Sequence, residues 1–114
     1  PVDRYKDEPG TWMDVSRRVL FESDSSSFQG RVFQLGPSGY TSFEKHDHEH
    51  FVVVLGGSGK VRLGDDWQPI GPLDNVNVGP WEPHQFVAGP EGMTILCVVD
   101  RDRDRPVLIG NALD

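Results

Sequence analysis

Residues 39–59 read GYTSFEKHDHEHFVVVLGGSG, and the rest of the chain is best understood from this stretch. Its histidines, His46, His48 and His50, alternate with acids directly before the apolar run FVVVL. Imidazole and carboxylate groups at the head of a buried strand would cost several kcal/mol unless something binds them. A transition-metal ion is the partner that suits this mixture of ligands. The stretch therefore predicts most of a metal site.

The sequence on both sides of this stretch is typical of an all-β protein. Short runs with strand patterning alternate with Gly/Pro-rich segments about every 8–12 residues, and no segment keeps a helical period. We expect strands at residues 31–35, 51–55, 60–63, 67–70, 75–78, 84–88 and 93–99. We expect turns at residues 36–39, 56–59, 64–66 and 89–92. The spacing predicts an antiparallel sandwich or barrel rather than a parallel α/β sheet.

The length of 114 residues is that of one domain with a single hydrophobic core. We expect one domain over residues 1–114, with a core barrel at about residues 28–100. Strands within residues 11–22 precede this barrel, and residues 101–114 form a C-terminal tail.

Composition limits the partners of the chain. The net charge of −7 argues against nucleic acid or an anionic membrane as the main partner. No apolar run approaches the roughly 18–20 residues that a membrane span needs. A single cysteine, Cys97, cannot form an internal disulfide, which favours a reducing, cytoplasmic setting. A small molecule is the expected partner.

Strand geometry adds a carboxylate and a distant histidine to the predicted site. Residues two apart on a strand point to the same face, so Glu44 and His46 can aim at one point. His50 can approach from the next strand if residues 47–49 turn. His84, which follows a Pro-flanked turn, can complete the set from a third strand. Such a site suits Mn, Fe, Co, Ni or Zn and leaves positions open for substrate.

Two motifs make the sequence similar to the cupin superfamily. The first runs through EKHDHEHFVVVLGGSG and resembles the cupin His-x-His…Glu…Gly pattern. The second, GPWEPHQF, resembles the later Pro…His pattern, with Trp81 where a glycine is usual. The resemblance implies an antiparallel jelly-roll barrel, also called a double-stranded β-helix. It carries the metal ligands over as Glu44, His46, His50 and His84, with the usual Glu and one His exchanged.

That exchange leaves three further residues with open roles. His48 is either an alternative metal ligand in place of Glu44 or a group that transfers protons beside the metal. Glu49 is a second acid/base candidate. Cys97 is either a small buried hydrophobe or, if its strand face looks inward, a catalytic thiol near the metal.

Two classes of function fit these residues. The first is a metal-dependent enzyme acting on a small polar organic substrate, of the dioxygenase, isomerase, lyase or thiol-dependent methylthiotransferase type that the resemblance implies. The second is a non-catalytic module that binds or senses a sugar or small acid. The resemblance also implies a homodimer, as in many cupins of this size.

Overall fold

The computed structural model describes residues 2–8, 12–102 and 107–109, which form β-strands and no α-helix. In chain order the strands are β1 (Val2–Glu8), β2 (Trp12–Glu22), β3 (Phe28–Tyr40), β4 (Glu44–Lys45), β5 (His50–Leu63), β6 (Asp66–Ile70), β7 (Asn75–Val78), β8 (His84–Asp100) and β9 (Val107–Leu108). Every pairing between them is antiparallel. The predicted all-β, antiparallel fold is therefore confirmed. Most of the predicted tail, residues 101–114, lies outside the described residues.

The longest strand, β8, lies at the centre of the architecture. Its second half pairs with β3 on one side and with the first half of β5 on the other. Its first half pairs with β4 and with the second half of β5. Strand β5 also pairs with β7 near its start and with β6 near its end. Long strands whose two halves pair with different partners in this way close the sheet into the jelly-roll barrel.

The prediction of turns is wrong for three segments, residues 36–39, 56–59 and 89–92. They lie inside the continuous strands β3, β5 and β8, at the points where the pairing register shifts. Glycine is needed there because the backbones approach closely. Gly57 has a φ of 71°, and a Cβ on it would overlap the carbonyl oxygen of Gly92. The glycines thus mark β-bulges that bend the strands, while residues 64–65 do form the expected hairpin turn between β5 and β6.

The bulge in β8 changes which residues face the interior. Before it, the even-numbered His84, Phe86 and Ala88 are buried. After it, residues 93, 95, 97 and 99 are buried. Because successive strand residues point to opposite faces, the irregular segment must exchange the two sets. One strand therefore presents both a histidine and a cysteine to the barrel interior.

The interior is filled mainly by aliphatic side chains from these long strands. The buried cluster comprises Val15, Phe33, Leu35, Val52, Val54, Val61, Ile70, Val76, Val78, Phe86, Ala88, Met93, Ile95, Cys97 and Val99. The buried polar residues include Glu44, His46, His48 and His84, which belong to two overlapping groups of potential metal ligands. Among the residues that the structure describes, no helix has the length and apolar character of a membrane-crossing segment.

Candidate metal centre

Three segments of the chain bring the predicted ligands together. Glu44 in β4 pairs directly with His84 at the start of β8. His46 lies just beyond β4, and its carbonyl oxygen accepts a hydrogen bond of 2.6 Å from the Trp81 amide. His50 is the first residue of β5, where it pairs with β7. The sheet ladder and one loop contact thus fix all four backbones at the same end of the barrel.

The candidate ligand atoms form two overlapping groups. One contains Glu44, His46 and His84, and the other contains His46, His48 and His50. Within each group the ligand atoms lie within 4.8 Å of one another. His46 belongs to both groups and links them. Neither group joins His50 to Glu44 or His84, so the four predicted ligands do not form a single group.

Hydrogen bonds to backbone carbonyls fix the tautomers of His46 and His84. The Nδ1 atom of His46 lies 2.8 Å from the carbonyl oxygen of His48, and that of His84 lies 2.9 Å from the carbonyl oxygen of Glu82. A carbonyl oxygen only accepts, so both Nδ1 atoms carry protons and both Nε2 atoms present lone pairs. These Nε2 atoms are 3.1 Å apart. Two neighbouring ligands at about 2.1 Å from one ion would be about 3 Å apart at a right angle, so a metal ion fits this pair.

His50 supplies a third nitrogen with the same character. Its Nδ1 lies 3.2 Å from the sulfur of Cys97, and its buried Nε2 has no hydrogen-bond partner among the residues that the structure describes. A buried polar atom left unsatisfied costs about 1–3 kcal/mol. Metal-binding histidines usually donate the other ring nitrogen to a fixed acceptor, as Nδ1 can here to sulfur. The chemistry of this donor set fits a transition metal held by Nε2 atoms.

Burial keeps these imidazoles neutral. Desolvation lowers the pKa of His46 and of His50, and the neighbouring histidines lower both further. Desolvation also lowers the pKa of His84 to about 4, against the opposing hydrogen bond to Glu82. A neutral imidazole is the form that binds metal, so the site needs no proton release at neutral pH.

Carboxylates complete the surroundings of the histidines. Glu44 is buried and accepts a hydrogen bond from the hydroxyl of Ser42, which orients its carboxylate. His48 is also buried, and its Nδ1 lies 3.1 Å from the carboxylate of Asp47. Glu44 and His48 therefore each share a candidate ligand group with His46. Both of the predicted alternatives for His48, ligand and proton-transfer group, are compatible with this geometry.

The remaining predicted residues differ in position. Glu49 is exposed and belongs to neither ligand group. Cys97 is 3% exposed and contacts both His50, at 3.2 Å, and the guanidinium of Arg31, at 3.5 Å. Reasoning from sequence missed Arg31 and Ser42. The alternation in GRVFQL could have revealed Arg31, because it shares a strand face with Phe33 and Leu35.

Trp81 occupies the glycine position of the second motif in a backbone conformation that favours glycine. Its φ is 61°, in the left-handed region, and its side chain is 54% exposed. The amide that it donates to the His46 carbonyl requires this turn of the chain. The motif position thus keeps its backbone geometry although the residue has changed.

A closed antiparallel barrel with histidines converging at one end is the architecture of a cupin, and the chain belongs to this family. Residues 31–99 match the family profile described as "Cupin domain", which covers both predicted motifs. The recognition made from the two motifs is confirmed.

Particular relatives carry functional names. The 1-methylthio-D-xylulose 5-phosphate methylsulfurylase of Rhodospirillum rubrum is 36% identical over 106 residues, which are 91% of this chain and 68% of the relative. A probable (S)-ureidoglycine aminohydrolase of Oryza sativa subsp. japonica is 30% identical over 98 residues, 84% of this chain but only 31% of the relative. Among solved structures, a cupin-2 domain protein from Rhodospirillum rubrum superposes with a TM-score of 0.90 at 35% identity, covering 95% of this chain and 74% of that one. The chain is thus similar to enzymes with different reactions.

Proposed function

We propose that the chain is a metal-dependent enzyme acting on a small, polar organic substrate. One observation carries this proposal: the Nε2 atoms of His46 and His84 lie 3.1 Å apart, and among the described residues no hydrogen-bond partner meets the buried Nε2 of the neighbouring His50. A divalent transition metal, Mn, Fe, Co, Ni or Zn, would act there as a Lewis acid toward an oxygen of the substrate.

In this proposal His46, His50 and His84 hold the metal through Nε2, with Glu44 as the anionic ligand. His48 is the favoured group for moving a proton. Its Nδ1 donates to the Asp47 carboxylate, so its Nε2 can accept a proton from a substrate bound beside the metal. The exposed Glu49 is the weaker acid/base candidate because no ligand group includes it.

We further propose that the substrate is a sulfur-substituted sugar phosphate or a closely similar compound. The name of the Rhodospirillum rubrum relative, with 36% identity over 91% of the chain, supports this class. The position of Cys97 beside His50 also supports it, because a thiol lies next to a metal ligand. Transfer of the methylthio group to a small thiol is therefore favoured over dioxygenase, isomerase or lyase chemistry. In this step the C–S bond of the substrate breaks, the thiol sulfur and the methylthio sulfur form a mixed disulfide, and the carbon takes a proton in place of the sulfur.

Metal content tests the first part of the proposal. Protein purified without chelators should contain about one transition-metal ion per chain by inductively coupled plasma mass spectrometry. The variants His50→Ala and His84→Ala should lose most of it, whereas Glu49→Gln, a change in the same loop, should keep it. Equal metal content in all four proteins, or none in the wild type, would contradict the proposed site.

Turnover tests the second part. The protein loaded with each metal is incubated with a methylthio-sugar phosphate and a small thiol, and mass spectrometry follows loss of the methylthio group. We expect a metal-dependent product that His50→Ala does not form. Saturable binding without product from this substrate, or from other hydroxy-carbonyl compounds, would favour the non-catalytic binding module instead.

A further inference from the structure

Arg31 is a buried cation on the inner face of β3, beside the apolar Phe33 and Leu35. It is 5% exposed and is the only lysine or arginine buried among the described residues. Its register partner on β8 is Cys97, so its side chain enters the same layer of the barrel. Removing a guanidinium from water costs several kcal/mol unless partners replace the water. Core packing alone would therefore be an energetically costly role for this residue.

The contacts of the guanidinium do not replace that water. One terminal nitrogen lies 3.5 Å from the sulfur of Cys97, a weak acceptor, and the group lies 5.0 Å from the centre of the Phe33 ring. A cation–π contact of this kind contributes about 1–2 kcal/mol. Within the described part of the chain, the buried Nε has no hydrogen-bond partner and no carboxylate forms an ion pair with Arg31.

The position of Arg31 relative to the candidate metal centre is fixed by one shared atom. The Cys97 sulfur that contacts Arg31 also lies 3.2 Å from Nδ1 of His50. The guanidinium and a metal-ligating imidazole are therefore separated by a single sulfur atom. A molecule bound at the metal through one end could present its other end to Arg31.

We propose that Arg31 binds the anionic group of the substrate, a phosphate or a carboxylate, inside the barrel beside the metal centre. This inference rests on the proposed function, since it assumes a substrate in the same interior. A guanidinium offers donors in a planar fork that matches two oxygens of such a group, and Nε is one of the donors of that fork. The substrate would provide both the missing hydrogen bond and the missing counter-charge.

A competing explanation is that Arg31 interacts only with the sulfur of Cys97. In that case the guanidinium would stabilise a negatively charged sulfur and would have no direct contact with a ligand. The two explanations differ in one measurable respect. Only anion binding by Arg31 makes the affinity for a simple oxyanion depend on this side chain.

Isothermal titration calorimetry with inorganic phosphate and, separately, with acetate tests the proposal on metal-loaded and metal-free protein. Arg31→Met should weaken binding of at least one anion by about 10–100-fold, the loss expected for a charge-assisted hydrogen-bonded pair. The anion that shows this dependence identifies the group as phosphate or carboxylate. Arg62→Met is the matched control, because Arg62 also stacks on a phenylalanine ring, that of Phe43, but pairs with Asp65. It should leave anion affinity unchanged.

Arg31→Lys keeps the charge without the fork, and it carries the test if Arg31→Met does not fold. We expect it to bind the anion about tenfold more weakly than the wild type. Wild-type affinity in a folded Arg31 variant, or no anion binding by the wild type, would overturn the inference. Arg31-dependent binding in a protein that holds no metal would leave the inference standing while the proposed function fails. A stoichiometric metal without Arg31-dependent anion binding would overturn the inference and leave the proposed function standing.

Discussion

Acidification should destabilise the metal-free protein through His84. This side chain is 4% exposed, and desolvation lowers its pKa from the ordinary 6.5 to about 4. Between these values the unfolded chain binds a proton that the folded protein excludes. The free energy of unfolding must therefore decrease as the pH falls through this window. Stability that His84 contributes is fully present above pH 6.5 and is lost by about pH 4.

The size of the effect follows from the same two values. A change in pKa from 6.5 to about 4 corresponds to about 3 kcal/mol at low pH, of which about 2 kcal/mol is expressed at pH 5. Burial also lowers the pKa of His46 and of His50, so both add to the loss in the same direction. For a domain stable by about 5–15 kcal/mol, such a change is readily measured.

Urea denaturation at pH 8 and pH 5, with a chelator present throughout, provides the assay. His84→Gln removes the titrating group and keeps a polar side chain. Its loss of stability between the two pH values should be smaller than that of the wild type by about 2 kcal/mol, because carboxylates titrate alike in both proteins. An equal loss in the two proteins would refute the reasoning, and so would a wild type that becomes more stable at pH 5.

Three other substitutions test separate parts of the structure. Gly57→Ala should lower the free energy of unfolding, measured by urea denaturation, by at least about 2 kcal/mol, because Gly57 has a positive φ and a new Cβ would overlap a carbonyl oxygen. Gly56→Ala is the control, and it should change this free energy by no more than about 0.5 kcal/mol, because nothing lies within 4 Å of its new Cβ. Similar losses in the two variants would contradict the bulge assignment. Cys97→Ala should weaken metal affinity about tenfold, because the Cys97 sulfur orients His50, and Cys97→Ser should weaken it less. Competition with a chelator measures both affinities. Wild-type affinity in both variants would mean that the sulfur does not orient His50. Trp81→Gly should leave the free energy of unfolding unchanged or raise it by about 1 kcal/mol, because the φ of 61° at this position favours glycine. A clear loss of stability would show that packing of the exposed ring outweighs this backbone preference.

Local sequence predicted most of the strands and grouped most of the candidate site residues, because both depend on short-range patterns. The alternation of residues 75–78 fixed β7 without reference to the rest of the chain. Glu44, His46 and His50 could be grouped because a strand places residues two apart on one face, and a turn returns the chain. His84 needed the second motif, since nothing local shows that it pairs with Glu44.

Features that depend on distant pairing could not be predicted in this way. Gly/Pro-rich segments indicate either a turn or a bulge, and only the partner strand decides which. Residues 89–92 continue a strand because β5 supplies pairing on both sides of them. The environment of Arg31 likewise depends on Cys97, which lies 66 positions away. Its alternation with apolar residues was visible, but its contact with the site was not.

The bulge in β8 links the fold to the proposed chemistry. In a regular strand, every buried residue would have the same parity as the buried His84 and Phe86, so the even-numbered residues would face inward along its whole length. Cys97, which is odd-numbered, would then point outward. The irregular segment at residues 89–92 restores an inward cysteine, and through its sulfur the strand reaches both His50 and Arg31. The glycines there consequently matter for more than bending the barrel. They place one candidate metal ligand, His84, and the sulfur that contacts another, His50, on one continuous strand.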